Sequence, residues 1–126
     1  MRLADAPDLD VTVARLGPAA HVASVSGELD AHTAPFLRRR LLPLAERVPE
    51  SQLIVDLAGV TFLDSTALGV LIGTAKLLQE HGGALVVASA DPRLRRLFEL
   101  AGVLPLLRLE RTLAEAVERV VAGQYA

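Results

Sequence analysis

Two apolar runs, LIVDL at residues 53–57 and ALVVA at Ala84–Ala88, bracket a single amphipathic segment, and this spacing constrains the fold more than any other feature. Nearly continuous apolar strands are those covered on both faces, as strands of parallel sheets are. The segment between them reads as a helix over residues 66–80. Its Leu68, Leu71, Ile72, Ala75 and Leu78 recur at i, i+3, i+4, i+7 and i+10, a core-facing stripe. Gly82 and Gly83 end that helix and start the return. Strand, crossover helix and strand at this spacing make a βαβ unit with a right-handed parallel connection.

The flanking segments extend this unit. Leu9, Val11 and Val13 alternate with Asp10, Thr12 and Ala14, the period of a half-buried strand. A Gly17-Pro18 break precedes a second strand at 21–26, antiparallel to the first. Residues 33–48 read as a helix with Phe36, Leu37, Leu41, Leu44 and Val48 near one face and Thr33 as N-cap. Pro35 suits the first turn, whereas Pro43 predicts a kink or break, because it lacks an amide donor and clashes one turn back.

Asp91-Pro92 opens a third helix and Ala101-Gly102 closes it. Residues 106–109 read as a short last strand, and the Thr112–Glu115 spacing of a capping box starts a terminal helix to about Ala122. The order β-β-α-β-α-β-α-β-α predicts a single α/β domain over residues 1–126, core about 9–122. It has a mixed sheet of about five strands and four main helices.

Composition narrows the chemistry. Hydrophobic residues make up 52% and aromatics 3%, so the core is built from Leu, Val and Ala. With no cysteine, disulfides, thiolate catalysis and cysteine-ligated zinc are excluded. Thirteen Lys and Arg against 15 Asp and Glu give a net charge of −2 and no electrostatic case for direct nucleic-acid binding. The start, MRLADAPDLD, has no apolar run of signal-peptide length. The longest nearly uncharged stretch, 65–75, is far shorter than the ~20 residues of a membrane span. The expectation is a soluble cytoplasmic protein without membrane insertion.

The polar chemistry concentrates in TFLDSTALG, residues 61–69. Asp64, Ser65 and Thr66 precede the central helix, whose first four amides have no internal partners. One of the three caps the helix, and the others are left to face outward. A phosphate on a serine here adds roughly −1.5 to −2 charges. Beside a helix N-terminus that charge is favourable by about 0.3–1 kcal/mol. Against a partner surface it costs on the order of several kcal/mol. Modification therefore switches partners without switching the fold.

Other candidates read as scaffold. Ser65 is not set in G-x-S-x-G, and no G-x-x-x-x-G-K-[ST] loop exists, so hydrolase and NTPase readings lack their motifs. His21, His32 and His81 form no metal-ligand pattern and read as structural or surface groups. Arg38, Arg39 and Arg40, with Arg93, Arg95 and Arg96, read as solvated helix faces. Gly69 and Gly73 read as a small pair allowing close packing on the sheet, and Gly27-Glu28-Leu29-Asp30 as a turn with solvated acids.

Three segments together, TFLDSTALGVLIG, the earlier GELD at 27–30 and the later PRLRRLFELAGV, resemble the STAS domain of bacterial anti-sigma-factor antagonists. The resemblance covers about residues 9–122. It implies an unphosphorylated form that binds an anti-sigma factor, a GHKL-type serine kinase, and so frees a sigma factor. The kinase then phosphorylates the serine, which on this pattern is Ser65, and a PP2C-type phosphatase restores it. The implied partner surface comprises Asp30, Asp64, Ser65, Thr66, Ala67 and Gly69, with no catalysis, cofactor or metal of its own. At position 67 alanine replaces the family's glycine. A free-standing STAS subunit on an ABC-type lipid transporter and a stressosome-like scaffold are the alternatives.

Overall fold

Residues 8–47 and 51–124 are described by the computed structural model. They form β1 (Leu9–Arg15), β2 (Ala20–Leu29), α1 (Ala34–Arg47), β3 (Gln52–Leu63), α2 (Ser65–Glu80), β4 (Ala84–Ala88), α3 (Pro92–Leu100), β5 (Arg108–Glu110) and α4 (Leu113–Val121). This is the expected order of elements. The strands make one sheet in the order β1-β2-β3-β4-β5. β1 runs antiparallel to β2, and the remaining neighbours are parallel.

Successive strand side chains face opposite sides of a sheet. Leu53 and Val55 therefore join Ala23, Val25, Leu85 and Val87 on one face, and Ile54 joins Val22, Val86 and Ala88 on the other. The first face is covered by α1, α2 and α3 through Leu37, Leu41, Leu71, Leu78 and Phe98. The second is covered by α4 through Ala116, with Leu113, Val117 and Val120 at its margin. Two-sided cover is the reason that LIVDL and ALVVA are apolar throughout.

Pro43 does not break α1, which continues to Arg47. Leu37, Leu41 and Ala45 are fully buried on either side of it. Burying each leucine is worth roughly 1.5–3 kcal/mol. Together they offset the ~3 kcal/mol of an internal proline. Val48, expected on the same face, lies outside the described residues.

β3 differs most from expectation. Instead of ending at Leu57 it continues to Leu63, pairing Gly59, Val60, Phe62 and Leu63 with Ser26, Gly27, Glu28 and Leu29. β3 carries one more residue than β2 between Asp56 and Gly59, and another between Val60 and Phe62. Asp56 Oδ1 accepts from the Ala58 amide at 3.1 Å inside the first irregularity. Such bulges bend a strand and re-aim its side chains. β5 begins at Arg108 and not at Leu106, because Leu107 turns into the main core before pairing with β4 starts at Val86 and Arg108.

Candidate functional site

The parallel strands β2 and β3 end side by side, with Leu29 paired to Leu63 and the Asp64 amide donating to the Leu29 carbonyl at 3.0 Å. Each strand is followed at once by an aspartate and then a helix. The topology thereby brings Asp30 and Asp64, 34 positions apart in sequence, to one end of the sheet.

Asp64 is the N-cap of α2. Its extended backbone, φ −108° and ψ 178°, lets Oδ1 accept from the Ala67 amide at 3.0 Å. A cap of this kind is worth about 1 kcal/mol. With that role taken by the aspartate, Ser65 and Thr66 stand exposed on the first turn. The Ser65 hydroxyl makes no hydrogen bond to another described residue.

Ala67 points the other way, its methyl at 0% exposure in the main core. The whole residue is buried, so it adds nothing to the exposed surface at the start of α2. Its helical backbone needs no glycine, and alanine favours a helix. Gly69 and Gly73 correct a second expectation. A Cβ at either would meet nothing within 4 Å, so they face open space and not the sheet.

Asp30 is built into the turn before α1. Its Oδ1 accepts from the His32 and Thr33 amides, each at 2.9 Å. Thr33, expected to cap α1, instead turns its buried hydroxyl back to donate to the Glu28 carbonyl at 2.8 Å. The Thr33 amide, chief among these contacts, holds the Asp30 carboxyl below its ordinary pKa. A folded-state pKa below the unfolded value stabilises the fold above the ordinary carboxylate range. That contribution is lost as pH falls through the lowered value. Titrating Tm from about pH 5 to about pH 2 should therefore show a shallower acid fall for Asp30→Asn than for wild type. Parallel curves would remove Asp30 from the acid limb.

Two arginines expected to be solvated, Arg40 and Arg95, are structural. Arg40 Nη1 donates to the Val11 carbonyl at 2.8 Å, tying α1 to β1. Arg95 Nη1 donates to the carbonyls of Ser89 at 2.9 Å and Glu110 at 3.2 Å. Arg93 pairs with Asp91 at 2.9 Å, which lowers the Asp91 pKa. Arg38, Arg39 and Arg96 are exposed or half-exposed on their helices. Among the histidines, His32 lies with its ring centroid 6.4 Å from that of Phe36, and His81 Nδ1 lies 3.1 Å from the Leu77 carbonyl oxygen. Among the described residues, no group of three or more His, Cys, Asp or Glu is placed to hold a metal ion, and no helix is long and apolar enough to cross a membrane.

Phe62 is the site residue that sequence reasoning missed. It is 49% exposed, three positions before Ser65, while its neighbour Leu63 is buried. The extra residue between Val60 and Phe62 breaks the period of two, so alternation gave no signal for it.

The STAS domain model matches residues 12–116. The anti-sigma-B factor antagonist of Bacillus subtilis is 41% identical over 80 residues, covering 64% of this chain and 72% of that protein. An anti-sigma factor antagonist from Mycobacterium paratuberculosis, known as a crystal structure, superposes with a TM-score of 0.79 at 34% identity, covering 93% and 98% of the two chains. The Bacillus cell fate determinant SpoIIAA in its phosphorylated form shares the fold, with a TM-score of 0.69 at 23% identity over 88% and 99% of the chains. By its strand order, its two aspartate-led helix starts and these likenesses, this chain belongs to the STAS-domain family of bacterial anti-sigma-factor antagonists.

Proposed function

We propose that the protein is a phosphorylation-controlled partner switch of the cytoplasm. Its unphosphorylated form binds an anti-sigma factor, a GHKL-type serine kinase, and so releases a sigma factor. Phosphorylation of Ser65 by that kinase dissolves the complex, and a PP2C-type phosphatase restores it. The protein is substrate and binding module, and supplies no catalytic group. The observation that carries this reading is the division of labour at the start of α2. Asp64 satisfies the helix, so the Ser65 hydroxyl is exposed and uncommitted.

The surrounding surface suits a partner. Asp30 lies beside Asp64 at the sheet end, Thr66 and Gly69 are exposed on α2, and Phe62 offers an aromatic anchor. Exposed aromatics at interface centres carry a large share of binding energy. Phe62→Ala should leave Tm within about 2 °C, because surface changes cost little. The same change should weaken anti-sigma-factor binding about tenfold, as hot-spot truncations do. Unchanged affinity by calorimetry would exclude Phe62 from the interface.

The deciding experiment mixes the protein with purified anti-sigma-factor kinases from its own genome, adds ATP, and maps phosphate by mass spectrometry. Phosphate on Ser65 with loss of the complex is the expected result. Phosphate elsewhere, or a complex indifferent to ATP, would overturn the switch.

A further inference from the structure

Between α1 and α2 lies an open groove of about 500 Å³, lined in part by Ala34, Pro35, Arg38, Leu42, Thr66 and Val70. It runs on past Gly69 and Gly73 into a second lobe of about 390 Å³. The lining is largely apolar, and its charged side chains are Arg38 and Arg39. Both are exposed, and among the described residues neither is paired with a carboxylate. Arg39 lies 5.5 Å from the Phe36 ring centroid, which steadies its guanidinium without neutralising it. Two unneutralised cations beside an apolar trough, in a chain of net charge −2, are a local reversal of sign.

Complementarity then specifies the occupant. We propose that this groove docks an acidic amphipathic helix of the anti-sigma factor. Its apolar side chains rest on Leu42 and Val70, and its carboxylates meet Arg38 and Arg39. The inference rests on the proposed antagonist function and names the chemistry of its partner. From Thr66 to Thr74 the groove follows α2 for about 12 Å, or roughly two turns of a docked helix. Two turns suffice to present i and i+4 anchors to the floor. Gly69 and Gly73 leave the α2 wall flat, so the partner backbone approaches closely.

An acidic occupant also connects the groove to the switch. Thr66 lines both lobes, and Ser65 is its neighbour. A phosphate on Ser65 places negative charge at the groove mouth, where it repels an acidic helix and competes for the arginines. A basic occupant would instead be strengthened by phosphorylation.

The test titrates purified anti-sigma factors from the same genome against wild type, Arg38→Glu, Gly73→Leu and Ser65→Asp, with thermal melts of each. Arg38→Glu and Gly73→Leu should each weaken binding about 10- to 100-fold at unchanged Tm. Reversing one acidic residue of the partner helix to lysine should restore affinity for Arg38→Glu. If both groove variants bind within twofold of wild type while Ser65→Asp has lost the partner, the groove does not dock it and the antagonist function stands. Loss of binding that no acidic-to-lysine change in the partner rescues overturns the acidic helix. A wild-type protein that binds none of the anti-sigma factors overturns both.

Discussion

Ser65→Asp should weaken anti-sigma-factor binding by about 100-fold or more, with Tm within about 2 °C of wild type. The asymmetry follows from where the charge falls. On the fold side it sits at the first position of α2, where the helix dipole favours an anion by about 0.3–1 kcal/mol. On the partner side it is desolvated against a surface that had accommodated a neutral hydroxyl, at a cost on the order of several kcal/mol. A 100-fold loss requires only about 2.8 kcal/mol. Aspartate carries one charge where phosphoserine carries roughly 1.5 to 2, so the phosphorylated protein should bind more weakly still. Ser65→Ala removes the acceptor hydroxyl and should hold the partner in the presence of ATP. Calorimetric titration of the three forms with the kinase, beside thermal melts, checks this. An aspartate variant as tight as wild type would sink the phospho-switch, and one that unfolds would place Ser65 in the scaffold.

Gly27→Ala should destabilise the protein by about 3 kcal/mol, the upper range for backbone strain. That corresponds to a fall in Tm of roughly 10 °C. Gly27 adopts φ +109°, and a Cβ built there overlaps the backbone carbonyl of Asp8. The same carbonyl accepts the Glu28 amide at 3.0 Å, so the two strands are held close by their own ladder. Neither obstacle is a flexible side chain, and relief needs β1 to move. Because Gly27 leads into Asp30 and the sheet end, binding should weaken along with stability. Gly73→Ala is the control, since open space surrounds that position. Denaturant melts that leave Gly27→Ala as stable as the control would show that β1 yields freely.

Gly69 and Gly73 mark how far the chain could be read before folding. Gly69 and Gly73 carry helical spacing, and from spacing alone they suggested contact with the sheet. The side of α2 on which they lie depends on Leu68, Leu71, Ala75 and Leu78 taking the core, which leaves positions 69 and 73 outside. Arg38 and Arg40 look alike in sequence, yet one lines the groove and the other reaches the Val11 carbonyl across the fold. Phe62 was hidden for a different reason. The two extra residues in β3 interrupt the period of two, so the chain after Leu57 lost the signature of a strand.

What the sequence determined by itself is local or periodic. Two apolar runs around an amphipathic helix demanded a parallel sheet covered on both faces. Asp91 before Pro92 and Thr112 before Glu115 set helix starts, as their hydrogen bonds to the Arg93 and Glu115 amides show. Such features act over three or four residues and need no distant partner. The tertiary structure alone decided the rest. It carried α1 through Pro43 by burying Leu37 and Leu41 before it and Ala45 after it, and extended β3 by offering it the edge of β2. It also brought Asp30 to the sheet end where α2 starts, and left Ser65 exposed beside a groove rimmed by Arg38 and Arg39, neither paired with a carboxylate among the described residues. Each of these outcomes depends on groups far apart in the chain, and their encounter is settled only when the sheet closes.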